Sequence, residues 1–377
     1  MINIAITANT SWYIYNFRIN TIRALLKKNF NIFIISPYDS YTENLKKEGC
    51  KFIPINIDRG GTNPSKDFFT FISFCKIYKD NTFDCILNFT PKNNIYSTLA
   101  ARVFKINTIN NISGLGFLFS NKKLSSLVAR FLYKISQTHA RTVFFQNKHD
   151  MELFIGKGFV KKENVILING SGVDLERFVY HESVNDGVIR FLLSARMLYE
   201  KGVQHFVEAA DQLKKRHGES IEFNLLGFID KDNPSAISEN TINNWVKNGS
   251  INYLGVTDSV EDIIKNVDCV VLPSYYREGI PKSLIEAGAM GKPIITTDSI
   301  GCRNTVDPDI NGYLCEPKST ISLIEQIEKI IKMPRDELIL MGKSSRLKMQ
   351  NEFDERIIIN KYLSQINMFL KEANTHD

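Results

Sequence analysis

Thirteen short apolar runs, set apart by helical patterns and polar turns, constrain this chain more than any other feature. In the first half they are NIAITA, NIFIIS, KFIPIN, CILNF, TINNI, TVFFQ and VILIN. In the second half they are IRFLLSA, EFNLLG, INYLG, CVVLPS, PIITT and GYLCE. Helical patterns such as 20–28 and 93–104 fall between them, and this alternation predicts parallel sheets with crossover helices. The pattern restarts near Val188. A chain of 377 residues also exceeds the roughly 250–300 residues that one core serves. The expectation is therefore α/β: two doubly wound domains over 1–174 and 175–355, and a last helix over 356–377. The linker reads as the Gly-rich NGSGVDLERF followed by the polar HESVNDG. Open sheets of this kind bind ligands at the carboxyl ends of their strands.

One such strand end carries the most informative local motif, Glu278-Gly-Ile-Pro-Lys-Ser-Leu-Ile-Glu286. CVVLPSYY before it reads as a buried strand and PKSLIEAGAMGK as a helix starting at Pro281, a favourable first-turn residue because it has no amide proton to lose. Backbone amides around Lys282, Ser283 and Leu284, with the positive helix end, would make an anion site flanked by two carboxylates. That combination suits a nucleotide sugar, with amides for a diphosphate and carboxylates for hydroxyls. An ordinary solvated helix with acidic residues near its start gives the same spacing.

The surrounding blocks favour the first reading. With IYNFR, FTPKNNIYSTLAAR, ISGLGFLF, NGSGVDLERF, SARMLYEKGV, LPSYYREGIPKSLIEAGAMGKPIITTD and GCRNTVDPDINGYL in order, the chain resembles the retaining E-x(7)-E glycosyltransferases of family 4, which have the GT-B fold. Within them it is most similar to bacterial enzymes that extend lipid-linked O-antigen, capsule and N-glycan precursors. The resemblance implies two Rossmann-like domains facing each other across a cleft, with a last helix that crosses back to the first. It also implies transfer of a sugar, closest to UDP-GalNAc, onto an undecaprenyl-diphosphate-linked saccharide. No cofactor beyond the UDP-sugar co-substrate and no essential metal are expected.

By the same resemblance, Arg196 and Lys201 in SARMLYEKG match the pyrophosphate-binding cations. As bare sequence they also read as solvated charges. Glu278 would contact the donor sugar, as nucleophile or as orienting group, and Glu286 the ribose hydroxyls. Thr257 in YLGVTDS contacts the base or only closes its own loop. Arg303 in GCRNTV reaches toward sugar or acceptor, although Asn304 stands where relatives often have an acid. Asp307-Pro-Asp309 is the nearest thing to an Asp-x-Asp metal pair and reads as a surface turn. Acceptor contacts are expected from a loop over Asn9 to Arg18, including Asn16, with Arg18 at the start of the next helix. His139 reads as structural, in a helix-like stretch, so no general base is named.

The net charge of +6 conceals an asymmetry. Residues 1–174 hold 23 Lys and Arg against 11 Asp and Glu, while residues 175–377 hold 24 against 30. A first half at +12 beside a second at −6 points to one polyanion-facing surface. No nucleic-acid motif accompanies it, so an anionic membrane surface is favoured over nucleic acid. The stripe Leu124, Leu127, Val128, Phe131, Leu132 and Ile135, flanked by Lys122, Lys123, Arg130 and Lys134, reads as an interfacial helix or as a core helix with a basic face. PSKDFFTFISFCKIYK carries the same ambiguity. Six scattered cysteines without C-x-x-C spacing suit a reducing cytosol. MINIAITAN shows no signal-peptide pattern, and no run of roughly 18 apolar residues suggests a span. The expected location is the cytoplasmic face of a membrane, held peripherally. A lipid-free UDP-sugar 2-epimerase of the same fold and an inactive nucleotide-sugar-binding protein are the alternatives.

Overall fold

The apolar runs become strands in the places the alternation predicts. The computed structural model describes residues 2–58, 63–115, 124–182, 185–231 and 233–374. Of the sequence features above, Phe117, Leu118, Phe119, Lys122, Lys123, Ser183 and Val184 lie outside the described residues, as does the side chain of Leu124. The chain forms two compact units, Met1–Ser171 with Arg356–Asp377, and Gly172–Glu355.

In the first unit the strands are β1 (Asn3–Thr7), β2 (Asn31–Ser36), β3 (Lys51–Pro54), β4 (Cys85–Asn88), β5 (Asn107–Ile112), β6 (Thr142–Phe145) and β7 (Val165–Leu167). All pair in parallel, in the order β3-β2-β1-β4-β5-β6-β7. Helices cover the sheet: α1 (Ser11–Leu26), α2 (Thr42–Lys47), α3 (Pro64–Asp80), α4 (Thr98–Val103), α5 (Leu124–Gln137) and α6 (Lys148–Gly156). Central β4 and β6 are buried throughout, as a doubly covered parallel sheet requires. Edge strand β3 leaves Lys51 and Pro54 exposed, residues that discourage further pairing. A π-helical turn, Asn93–Ser97, leads directly into α4.

The second unit repeats the plan with β8 (Ile189–Ser194), β9 (Ile221–Leu226), β10 (Asn252–Tyr253), β11 (Cys269–Leu272), β12 (Ile294–Thr297) and β13 (Gly312–Cys315). Their order is β10-β9-β8-β11-β12-β13, again parallel. Its helices are α7 (Val203–His217), α8 (Glu239–Lys247), α9 (Val260–Ile264), α10 (Lys282–Ala289), α11 (Thr320–Lys332) and α12 (Arg335–Glu352). The last helix, α13 (Glu355–Asn374), lays Ile358, Tyr362, Ile366 and Phe369 into the core of the first unit, with Tyr362 stacked on Phe144 at 4.7 Å.

The first unit ends at Ser171 rather than at 174 because Val173 is already bonded into the second. Its amide donates to Phe353 O at 2.8 Å, and its carbonyl accepts from Glu355 N at 3.1 Å. Gly172 sits against this bridge at φ +75°, and a Cβ there would fall 2.4 Å from Glu355 Cα.

Two local expectations change. The segment read as a loop through Arg18 is helical from Ser11. Thr10, extended at φ −155°, accepts the Tyr13 amide at 2.9 Å and caps α1 early. Arg18 is therefore mid-helix and 1% exposed, its guanidinium 4.3 Å from the Phe89 ring centroid. The α5 stripe is also split. Tyr133, Ser136 and Gln137 point inward and Leu132 packs on the core, whereas Leu127, Val128 and Phe131 stay exposed. On α3, Phe74 and Tyr78 are buried while Phe68, Phe69 and Ile72 are exposed. Both helices pack against segment 93–103. Among the described residues no helix is long and apolar enough to cross a membrane.

Candidate active site

In the second unit the strand order reverses between β8 and β11, the place where open α/β sheets hold ligands. After β8 the chain makes a 3-10 turn, Tyr199–Lys201, and enters α7 through Gly202 at φ +77°. A Cβ on Gly202 would lie 2.1 Å from Pro273 O, so only glycine lets this turn close on the segment after β11. The turn is then stitched to that segment: the amides of Tyr275 and Tyr276 donate to Glu200 O at 3.0 and 3.2 Å.

The stitching brings Lys201 onto Glu278. Lys201 Nζ donates to Glu278 Oε1, and the side chains are only 15% and 12% exposed. The buried Ser274 hydroxyl stands 3.0 Å from the same carboxylate oxygen and 3.1 Å from Glu200 O, its one proton serving either acceptor. Ser274 O in turn accepts from the Thr297 hydroxyl and, at 3.3 Å, from Ser299 Oγ. The ends of β8, β11 and β12 are thus one hydrogen-bonded assembly. Gly301, at φ +87°, completes it, since a Cβ there would meet Gly279 O at 1.7 Å.

Burial, and next the Glu278 carboxylate, push the Tyr276 phenol up from its ordinary range, while Arg196 pulls it down. Burial first and Glu278 second likewise push the Cys302 thiol up to about 11, which leaves it protonated at neutral pH. Arg196 itself donates Nη1 to Asp230 Oδ2 at 3.0 Å and is half exposed. The two cations that the sequence directs at one diphosphate therefore hold different carboxylates.

Helix α10 begins at Lys282, not Pro281. Pro281, with ψ 119°, is extended and caps the helix instead of starting it. Leu284 is buried in the core, and its amide already donates to Pro281 O at 3.2 Å. A backbone role at this helix end thus falls to the amides before it, and Ser283 lies there half-buried. Glu286 is one turn on from Lys282, with Nζ 3.7 Å from its carboxylate and a side chain 12% exposed. Burial raises its pKa, against the opposing charges of Lys282 and Arg177.

Sequence reasoning assigned no role to Arg177, Ser274 or Asp230. Arg177 grips Glu261 of α9 with two bonds of 3.1 and 2.8 Å and donates to Asp258 O at 2.7 Å. It thereby fixes the loop that carries Thr257, whose exposed hydroxyl accepts the Ser259 amide at 3.1 Å. The only advance signal for Arg177 was its place in the DLERF block. Arg303 lies in the turn after Gly301, bonded to Asp298 O at 2.7 Å and half exposed. Asp307 is held by Lys348 at 2.9 Å, and among the described residues no three His, Cys, Asp or Glu side chains are grouped to hold a metal ion.

The remaining candidates belong to the first unit. Asn16 lies in α1, with Nδ2 donating to Trp12 O at 3.0 Å, and Arg18 is in the same helix, with Nη2 donating to the Tyr13 hydroxyl at 3.3 Å. His139 is in the turn after α5, not in a helix, and its Nε2 meets Arg102 Nη1. Burial and the Arg102 charge lower its pKa.

Residues 178–351 match the family model for glycosyl transferases group 1, and residues 3–147 match that for glycosyl transferase 4-like proteins. The N,N'-diacetylbacillosaminyl-diphospho-undecaprenol alpha-1,3-N-acetylgalactosaminyltransferase of Campylobacter jejuni is 30% identical, over 96% of this chain and 97% of that one. The UDP-Gal:alpha-D-GlcNAc-diphosphoundecaprenol alpha-1,3-galactosyltransferase of Escherichia coli is 25% identical, over 77% and 76%. Among solved structures, a glycosyltransferase from Rickettsia africae aligns with a TM-score of 0.77 at 19% identity, covering 98% of this chain and 99% of that one. Anabaena HepE, solved with UDP and glucose, aligns at 0.76 and 14% identity, covering 97% and 99%. These likenesses show the GT-B fold.

Proposed function

Because this chain belongs to the group 1 and 4-like glycosyltransferases, we propose that it moves an N-acetylhexosamine, GalNAc foremost, from a UDP-sugar to an undecaprenyl-diphosphate-linked saccharide, with retention and without an essential metal. The observation that carries the reading is the end-to-end 30% identity to an alpha-1,3-N-acetylgalactosaminyltransferase of a diphospho-undecaprenol-linked sugar. The assembly around Lys201 and Glu278 supports it.

In this mechanism the bond from the anomeric carbon to the β-phosphate breaks, and its electron pair leaves with UDP. Arg196, Lys201 and the first-turn amides of α10 stabilise the charge that develops there. Glu278, locked by Lys201 and Ser274, orients the donor sugar, and Glu286 accepts the ribose hydroxyls. The acceptor hydroxyl attacks from the face that UDP leaves, and its proton passes to the departing phosphate oxygen. Exposed Leu127, Val128 and Phe131 on α5, in the basic half of the chain, support docking on an anionic cytoplasmic membrane face.

The test is a panel of UDP-, GDP- and dTDP-sugars offered to purified protein with undecyl-diphosphate-linked N-acetylhexosamine. Transfer of GalNAc with the α configuration supports the reading. Turnover of none of these donors sinks it, and release of an epimerised UDP-sugar without acceptor replaces it with the epimerase alternative.

A further inference from the structure

The first unit has its own reversal of strand order, between β1 and β4, and the residues just beyond β4 are unlike the rest of that sheet edge. Thr90 has φ +73°. A β-branched side chain in the left-handed region is strained and persists only where the surroundings enforce it. Three residues later the chain enters the π-helical turn, a rare geometry found mostly at functional sites. Thr90 and that turn are joined, because the Thr90 hydroxyl donates to Asn93 Oδ1 at 2.9 Å and Asn94 N donates to Thr90 O at 3.0 Å.

Asn93 is 0% exposed, and its Nδ2 has no acceptor among the described residues. Its neighbours show how unusual that is. Asn88 Nδ2 donates to Asn110 Oδ1 at 2.8 Å, Asn94 Nδ2 to Asn111 O at 2.7 Å and Asn111 Nδ2 to Asn88 O at 3.0 Å. Asn110 and Gln137 are likewise satisfied inside the unit. A buried donor left unmade is costly, so an Asn93 amide beside side-chain amides that are all satisfied suits an acceptor atom supplied by a ligand. It is anchored on Thr90, which is only part-buried.

The charges nearby select the ligand's class. Lys92 Nζ is 2.6 Å from Asp67 Oδ1, and the other Asp67 oxygen accepts the Tyr96 hydroxyl at 3.0 Å. Arg18 is buried against the Phe89 ring. Lys92 is thus committed to Asp67, and Arg18 is 1% exposed within α1. We propose that Asn93 and Thr90 form a sugar-hydroxyl site at the β1/β4 reversal, which takes a neutral N-acetylhexosamine ring of the acceptor and not its diphosphate. This deepens the function proposed above and rests on it for the word acceptor alone; binding of the ring requires no transfer.

The test is an NMR titration of the full-length protein, with UDP present, against two probes. Hexyl N-acetylglucosaminide carries the ring without phosphate, and undecyl diphosphate carries phosphate without the ring. Asn93→Asp keeps an oxygen for the Thr90 hydroxyl and removes the donor, and Asn93→Leu removes the amide altogether. UDP affinity and melting temperature, read on the same samples, report whether each variant is folded. The glycoside should weaken about tenfold or more in both variants, the effect of one buried hydrogen bond, while undecyl diphosphate binding stays constant in Asn93→Leu. Unchanged glycoside affinity in either folded variant would mean that Nδ2 meets only water, and the proposal falls. It also falls if wild type binds no glycoside at millimolar concentration, or if undecyl diphosphate is the probe that weakens. A failed donor panel would leave this titration readable, so the two readings are separable.

Discussion

Replacing Lys201 with alanine separates the architecture of the donor site from its chemistry. The substitution leaves Glu278 12% exposed, with Ser274 as its remaining hydrogen-bond neighbour in that assembly. Removing one partner of a fully buried ion pair costs about 3–5 kcal/mol, and an exposed pair is worth roughly 0–1 kcal/mol. At 15% and 12% exposure the loss should fall between, about 2 kcal/mol, and lower the melting temperature of the second unit by roughly 4–8 °C. The effect on turnover should be larger. If Lys201 stabilises the leaving diphosphate, its loss lowers kcat at saturating donor by roughly 10²–10³-fold, or about 3–4 kcal/mol of transition-state stabilisation. Calorimetry with UDP, kcat at saturating donor and a melting curve should be measured on one preparation. A double-mutant cycle with Glu278→Gln then isolates the coupling within the pair. The 2 kcal/mol stability loss with near-normal kcat would refute the argument, because Lys201 would then serve only to hold Glu278.

Glu286→Gln should show opposed effects on stability and binding. Burial raises the wild-type carboxyl above the ordinary carboxylate range, so stability tied to its protonated form is present at low pH and lost as pH rises through the folded-state value. The variant's stability relative to wild type should therefore increase from pH 4 toward neutrality, while UDP affinity falls by about 1.5–3 kcal/mol if the carboxylate accepts ribose hydroxyls; a stability difference that is flat with pH would refute the first half. Chelation by EDTA should leave activity largely intact, and complete loss restored by manganese would overturn the metal-free proposal. Vesicles containing anionic lipid should bind the protein at low salt and release it as salt rises. Charge reversal at Lys122, Lys123, Arg130 and Lys134 should reduce activity on long-chain acceptors more than on short soluble ones, with UDP affinity unchanged; equal loss on both would return α5 to an ordinary core helix.

Period and punctuation made the sheets legible. Short apolar runs such as IRFLL and CVVL, bounded by turn residues, have few structures open to them but buried parallel strands. The α1 start was missed because the segment through Arg18 reads as a loop after the first strand, its aromatic residues being indifferent helix formers, and the Thr10 cap starts the helix early. Glu278, Glu286, Arg196 and Lys201 stood out through their spacing and the resemblance. Ser274, Arg177 and Asp230 did not, since their positions depend on which loops meet at the strand ends, and a hydroxyl two residues past a strand carries no mark of the carboxylate it will reach. Asn93 was hidden for the same reason: an asparagine in KNNIYS declares neither its burial nor its missing partner.

At the proposed donor site four cations already lie on carboxylates. Arg196 holds Asp230, Lys201 holds Glu278, Lys282 lies on Glu286 and Arg177 grips Glu261. From solution such a site projects little positive potential, and the half of the chain that carries it is acidic overall. On the proposed function, a dianionic UDP-sugar would arrive with little long-range guidance and would reach these cations by displacing a carboxylate. Its capture should then vary little with ionic strength.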